Sequence, residues 1–208
     1  MPDTMPHDRP PHAEDPLADD GALVRQALTG RPASFGALYD RHVDRVYRFC
    51  RFRVHDSPLA LDLTQDVFES ALRHLPALRD PERFVSWLMR IAHHRVLDQW
   101  HLDGRVPPIT SWERAQVPAE DDAGPAELTA SDDVMAQVLG RLDVETLLTE
   151  TERLTEDQQA VLGLRFAGGL NVAEAATVLE RSEDAVKQLQ RRALSQLRRR
   201  LAERGLDP

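Results

Sequence analysis

Apolar residues recur at three- and four-residue intervals through most of the chain from Asp20 onward, the spacing that gathers them on one side of an α-helix. Phe35, Leu38, Tyr39, Val43, Val46 and Cys50 predict one long helix, with Ser34 placed to cap its start. The run "HDSP" predicts a turn. In "LALDLTQDVFESALRHL", Leu63, Val67, Phe68, Ala71, Leu72 and Leu75 fall on one face of a second helix. After "PALRDPE" a third is predicted from Arg83 to Trp100, with Phe84, Trp87, Leu88, Ile91 and Ala92 directed inward. No stretch alternates apolar and polar residues long enough to predict a strand. The fold class is therefore all-α, and residues 21–100 form one helical bundle.

The pattern breaks on either side of this domain. Residues 1–20 are rich in Pro, Asp and His and poor in large apolar residues, and they read as a disordered tail. Residues 101–138 hold "GRVPPITSWERAQVPAEDDAGPAE", with prolines, glycines and an acidic cluster, and they read as a flexible acidic linker. Helical spacing resumes near Ser131, and a second helical domain is expected over residues 139–204. Within it, Thr155 with Gln158 three residues later is a capping-box arrangement, and that helix closes at Gly168-Gly169.

The C-terminal stretch "LNVAEAATVLERSEDAVKQLQRRALSQLRRRL" predicts two helices and a tight turn. Asn171 and Glu174 form a second capping box, and Val172, Ala175, Ala176 and Leu179 supply the apolar side. "ERS" makes the turn. Ser182 caps the next helix, with Glu183 and Asp184 at its positive end. At about 100° per residue, Val186, Leu189, Ala193, Leu194, Leu197 and Leu201 collect on one side. Lys187, Gln188, Arg191, Arg192, Ser195, Arg198 and Arg199 collect on the other. Guanidinium and ammonium groups bind phosphates and guanine edges, and amides bind adenine, so this is the face of a DNA-recognition helix. The competing reading is a solvated basic helix end.

The overall charge opposes DNA binding at first sight. Lys and Arg number 26 against 35 Asp and Glu, for a net charge of −9. The charge is segregated, however. Arg181 to Arg204 carries eight basic residues against three acidic, whereas His101 to Glu156 carries four against thirteen. The single cysteine, Cys50, excludes an internal disulfide and a cysteine-clustered zinc site. It reads as a small buried apolar residue. No signal peptide is legible at the N-terminus, and no run approaches the roughly 18 apolar residues of a membrane span. A cytoplasmic protein without membrane insertion is expected.

Together the two domains resemble the extracytoplasmic-function sigma factors of bacterial RNA polymerase, members of the sigma-70 family. "FGALYDRHVDRVYRFCRF", "LDLTQDVFESAL" and "FVSWLMRIAHHRVLDQW" are similar to successive parts of sigma region 2. "LTEDQQAVLGLRFAGGLNVAEAATVLERSEDAVKQLQRRALSQLRRRL" is similar to region 4.

The resemblance implies a sigma factor that binds core RNA polymerase and directs promoter-specific initiation through −10 and −35 contacts. On the "DLxQ(E/D)VF" pattern, Asp62, Gln65, Asp66 and Glu69 would meet the clamp helices of the polymerase's largest subunit. The third helix and the loop before it would open the −10 element, with Arg79, Arg83, Arg90, His94 and Arg95 as candidate strand contacts. Ser182, Lys187, Gln188, Arg191, Arg192 and Arg198 would read the −35 element, with region 4 near the polymerase flap. The acidic linker would thread polymerase channels, and an anti-sigma factor is a possible partner of the family. No cofactor and no metal are implied. The chain departs from the family's pattern at His94, where Asn is usual, at "QWHLDGRVPP", where arginines often follow, and at "VKQLQRRAL", where "VKSRLHRAR" is frequent.

An enzyme is disfavoured, since no phosphate loop or nucleophile motif is legible and His93-His94 are adjacent rather than spaced as a metal pair. The main alternative is a helix-turn-helix transcriptional regulator that is not a sigma subunit, a reading that leaves "DLTQDVF" and "FVSWLMRIA" without a role. A third is a regulator-binding protein that has lost promoter activity.

Overall fold

The computed structural model describes residues 19–104 and 144–205. The expected tail, the linker from residue 105 onward and the resumption of helical spacing near Ser131 lie outside them. Eight α-helices, and no strand, occur among the described residues. They are α1 (Asp20–Leu28), α2 (Pro32–Val54), α3 (Ser57–His74), α4 (Phe84–Leu102), α5 (Val144–Thr151), α6 (Glu156–Leu162), α7 (Val172–Leu179) and α8 (Glu183–Glu203).

Helix starts follow from local chemistry. Asp19 caps α1, accepting the Ala22 amide at 2.6 Å, and Asp56 caps α3, accepting the Leu59 amide at 2.8 Å. Two expectations about this region are corrected. Ser34 is not a cap: α2 begins at Pro32, whose fixed φ suits a first helical turn, and the buried Ser34 hydroxyl instead donates to Gln26 Oε1 at 2.9 Å. The "HDSP" turn is shorter than four residues, because Ser57 and Pro58 already belong to α3. The reversal falls on His55, a left-handed residue at φ 59°.

The first four helices enclose Leu38, Val46, Phe49, Cys50, Leu63, Val67, Ala71, Phe84, Leu88 and Ala92. Fully burying each large side chain in this group contributes about 1.5–3 kcal/mol. The predicted inward faces hold with local exceptions. Leu72 is 56% exposed and sits at a shallow apolar hollow with Leu28, Phe35 and Leu75. Trp87 and Ile91 are half-buried at the edge of the core, whereas Trp100, beyond the predicted face, is buried.

Helices α5–α8 and the turn before α6 add Leu148, Leu154, Leu162, Leu194, Leu197 and Leu201 to a second cluster that also takes in Phe52 of α2. Both capping boxes form: Thr155 with Gln158, and Asn171 with Glu174. Helix α6 passes into a π-helical turn over Gly163–Ala167, closed by the Gly168 amide on the Gly163 carbonyl at 2.8 Å.

The two helical groups pack on each other. Val161, Leu164, Leu170, Ala175, Ala176, Val178 and Val186 share one apolar cluster with the residues of α1–α4. Helix α7 lies against α4, and the π-helical turn lies against α2. The approach is close: a Cβ on Gly163 would stand 3.0 Å from the Phe52 ring, and one on Gly168 would stand 2.9 Å from the Met89 terminal methyl.

Candidate nucleic-acid interface

Helices α7 and α8 form a helix-turn-helix. Leu179 ends α7, Glu180 takes the left-handed conformation at φ 53°, and the Arg181 amide closes the turn on the Ala176 carbonyl at 3.0 Å. Arg181 also pairs with Asp157 at 2.8 Å, tying the turn to α6. Ser182 caps α8, its hydroxyl accepting the Ala185 amide at 3.2 Å. The inward side of α8 is Val186, Ala193, Leu194, Leu197 and Leu201.

The opposite face is free for a ligand. Gln188, Arg191, Arg192, Ser195, Arg198 and Arg199 are exposed, and Lys187 is half-exposed beside Asp184 and Glu183 at 3.7 and 4.0 Å. They form two neighbouring rows at three- and four-residue steps, Lys187, Arg191, Ser195 and Arg198 in one and Gln188, Arg192, Ser195 and Arg199 in the other, so the basic groups line one broad stripe with the Gln188 amide among them. Five of the six residues expected to read a −35 element, Lys187, Gln188, Arg191, Arg192 and Arg198, share this accessible stripe, and Ser182 is exposed at the helix start, where its hydroxyl serves as the cap.

One residue of α8 was missed by periodicity. Gln190 is fully buried, and its Oε1 accepts from Arg165 Nε at 3.1 Å, while Arg165 Nη1 donates to the Leu170 carbonyl. An apolar-stripe rule cannot find an amide whose partner comes from another helix.

The polar residues expected to act on α3 are all exposed along one side: Asp62, Gln65, Asp66 and Glu69. Gln65 Nε2 donates to Glu69 Oε1 at 2.9 Å. Exposed Leu61 and Leu72 flank them, and Tyr39 stacks edge-on against Phe68 with ring centroids 4.7 Å apart. The face is thus acidic with apolar margins, fit for a partner surface carrying both basic and apolar groups.

The five residues proposed for strand contact are less unified. Arg90 and His94 follow Trp87 at three- and four-residue steps and share its side of α4. Arg79 and Arg83 stand in the segment before the helix, both exposed, with Arg83 Nε 3.4 Å from Asp80. Arg95 is turned by about 100° from His94 and lies 4.0 Å from Asp98. Arg95 is therefore set apart from the other four.

A buried polar cluster lies where α2, α4 and α6 meet. Arg53 is wholly buried; its Nη2 reaches Glu156 Oε1 at 3.1 Å, and its guanidinium carbon stands 4.5 Å over the Trp100 ring. Burial holds the Arg53 pKa below its ordinary value. His93, also buried, has its pKa lowered to about 3, first by desolvation and then by the charges of Arg53 and His94. Cys50, buried beneath, has its thiol pushed up to about 12 by desolvation, an inert form. Near the N-terminus, Asp20 is held below the usual carboxylate range, first by its hydrogen bond to His42 at 2.8 Å, with Arg41 adding at 2.7 Å.

The comparisons with known proteins agree with this geometry. The family description "Sigma-70 region 2" matches residues 38–105, and "Sigma-70, region 4" matches residues 152–199. The chain is 36% identical over 194 residues to the ECF RNA polymerase sigma factor BldN of Streptomyces coelicolor, covering 93% of this chain and 70% of that protein. It is 33% identical over 188 residues to the ECF RNA polymerase sigma factor ShbA of Streptomyces griseus, covering 86% and 93%. Among solved structures, CnrH in complex with the cytosolic domain of CnrY superposes with a TM-score of 0.58 at 25% identity, covering 88% of this chain and 97% of CnrH. The sigma factor RpoE of Bartonella quintana, bound to the anti-sigma factor NepR, has the same fold, with a TM-score of 0.58 at 20% identity over 81% of this chain and 96% of RpoE.

A helical chain that matches both sigma regions in order, with an exposed acidic face on α3 and an exposed basic face on α8, is a transcription initiation factor. The chain belongs to the extracytoplasmic-function sigma factors of the sigma-70 family. Among its described residues, no helix is long and apolar enough to cross a membrane.

Proposed function

We propose that the region around α3 docks on core RNA polymerase, that α4 and the segment before it engage the −10 element, and that α8 reads the −35 element. The exposed stripe from Lys187 to Arg198 carries the reading, because it joins basic groups for phosphates to an amide for base edges while the opposite side of α8 is buried. Asp62, Gln65, Asp66 and Glu69 are the polymerase contacts, with the clamp helices of the largest subunit as their counterpart. Arg79, Arg83, Arg90 and His94 contact the opened strand; Arg95 is the weakest member of that set on geometry. Ser182, Lys187, Gln188, Arg191, Arg192 and Arg198 form the −35 surface.

On this reading residues 21–100 act as sigma region 2 and residues 139–204 as region 4, and the protein acts in the cytoplasm as a non-enzymatic subunit. CnrH is described in complex with the cytosolic domain of CnrY and RpoE with the anti-sigma factor NepR, which supports an anti-sigma partner here as well. Run-off transcription with purified core polymerase tests the assignment. Promoter-dependent initiation that requires this protein is the expected result. DNA binding without core, and no initiation with it, would favour a helix-turn-helix regulator instead.

A further inference from the structure

Helix α1 carries none of the residues assigned above, yet the segment between α3 and α4 rests on it. Arg79 and Arg83, placed on the opened strand, stand in that segment, and the inference below rests on that −10 reading. Leu75 is buried there and Leu78 half-buried against the core. The Leu78 amide closes a turn on the Leu75 carbonyl at 3.0 Å. Asp80 then starts a short 3-10 turn over Pro81–Arg83. Its carboxylate accepts the Glu82 amide at 3.1 Å, and its carbonyl accepts the Arg83 amide at 3.0 Å. A three-residue turn with no buried side chain is too small to fix itself, so its direction depends on what it lies against.

One side chain makes the connection. Glu82 reaches across the first turn of α1, where Arg25 Nη1 donates to its Oε1 at 2.8 Å. The carboxylate lies directly over the buried Gly21: a Cβ at that position would overlap it, standing 2.5 Å from Cδ and 2.7 Å from Oε2. Gly21 is helical and is not among the glycines with positive φ, so its backbone does not require glycine. Glycine weakens a helix relative to alanine. What glycine supplies here is room for the carboxylate, which is also favoured by the amide end of the helix.

We propose that Gly21, Arg25 and Glu82 form a strut between α1 and the −10 segment, and that Glu82 is a positioning residue for Arg79 and Arg83. Glu82 holds the turn in one orientation, so both guanidiniums stand ready for the opened strand. Without the strut, ordering of the turn falls to the binding step and weakens it. Exposed ion pairs are individually weak, so the effect is about two- to fivefold.

The test uses holoenzyme assembled from core polymerase and the full-length chain. It is titrated into a labelled single strand bearing the −10 element of a promoter active in run-off transcription, and anisotropy gives the dissociation constant. Gly21→Ala should bind the strand about two- to fivefold more weakly while melting no lower than the wild type. Alanine favours the helix, and its methyl displaces only the exposed end of Glu82. Those opposite signs separate positioning from a loss of fold. Arg25→Ala should give a similar loss. Gly21→Ala with Glu82→Asp, whose carboxylate is one methylene shorter, should return to within about twofold of the wild type.

Unchanged strand affinity in either single variant overturns the strut, and so does a double variant no tighter than Gly21→Ala alone. If Gly21→Ala melts below the wild type, Arg25→Ala, a change at an exposed residue, decides by itself. Arg79→Ala with Arg83→Ala in the same assay keeps the two claims apart. Full affinity in that variant sinks the −10 assignment of the segment. Weakened affinity there, with none in Gly21→Ala and Arg25→Ala, sinks the strut alone.

Discussion

Arg165 on the π-helical turn and Gln190 on the recognition helix meet at 3.1 Å, which fixes the rotation of α8 about its own axis. The basic stripe points outward because this amide is held inward among Val186, Ala193 and Leu194. Gln190→Leu removes an acceptor from a part-buried guanidinium, and about 1–2 kcal/mol of stability should be lost in urea unfolding. Gln190→Glu keeps the acceptor and should restore both stability and −35-dependent initiation. A leucine variant with unaltered −35 dependence would show that the clasp does not orient the helix.

Arg191→Ala and Arg192→Ala each remove an exposed cation from the reading face without touching the core. Each should reduce initiation at a −35-dependent promoter by about 1–3 kcal/mol, roughly five- to 150-fold. Lys187→Ala should weaken all promoters alike and flatten the salt dependence of binding. Run-off assays across a −35 mutant panel separate the two behaviours.

On the first domain, Asp62→Lys with Asp66→Lys reverses the charge of the α3 face. Because both side chains are exposed, thermal unfolding should shift by no more than about 0.5 kcal/mol. Affinity for core polymerase should fall by more than about tenfold, equivalent to 1.4 kcal/mol. Fluorescence anisotropy with labelled core measures it, and unchanged affinity would remove α3 from the docking surface.

His93 makes stability depend on pH. Its folded pKa is depressed to about 3 from 6.5, so between those values the unfolded chain binds the extra proton. Stability is therefore full above the unfolded value and falls as pH drops below it, by about 1 kcal/mol between pH 7 and 5.5. His93→Phe should remove that slope from urea titrations at the two pH values. Asp20 does not obscure the result, because its lowered pKa acts only at and below the ordinary carboxylate range.

What could be read from sequence was what the local chain decides. Capping at Thr155, Asn171 and Ser182 needs only a side chain and an amide two or three residues on, and all three form. The wheel of α8 was legible because six basic residues and an apolar stripe leave one arrangement. Ser34 misled because a serine before an apolar run satisfies the capping rule, while the proline two residues earlier already starts the helix. Leu72 and Gln190 were misplaced or missed for one reason: their burial depends on what other helices bring to them. The packing of the two helical groups was not legible either. Phe52 and Arg53 look like the end of a surface helix until Gly163 and Glu156, over a hundred positions away, cover them.

Glu156 has a second neighbour besides Arg53: as the first residue of α6 it sits in the turn where unpaired amides gather. A carboxylate there is favoured by the helix's own positive end. Glu156 therefore answers two positive fields at once, the buried guanidinium of Arg53 and the amide end of α6. One carboxylate thus serves as counter-ion to the first helical group and as helix-start anion of the second, so a local preference of the chain and a contact between distant segments draw on the same side chain.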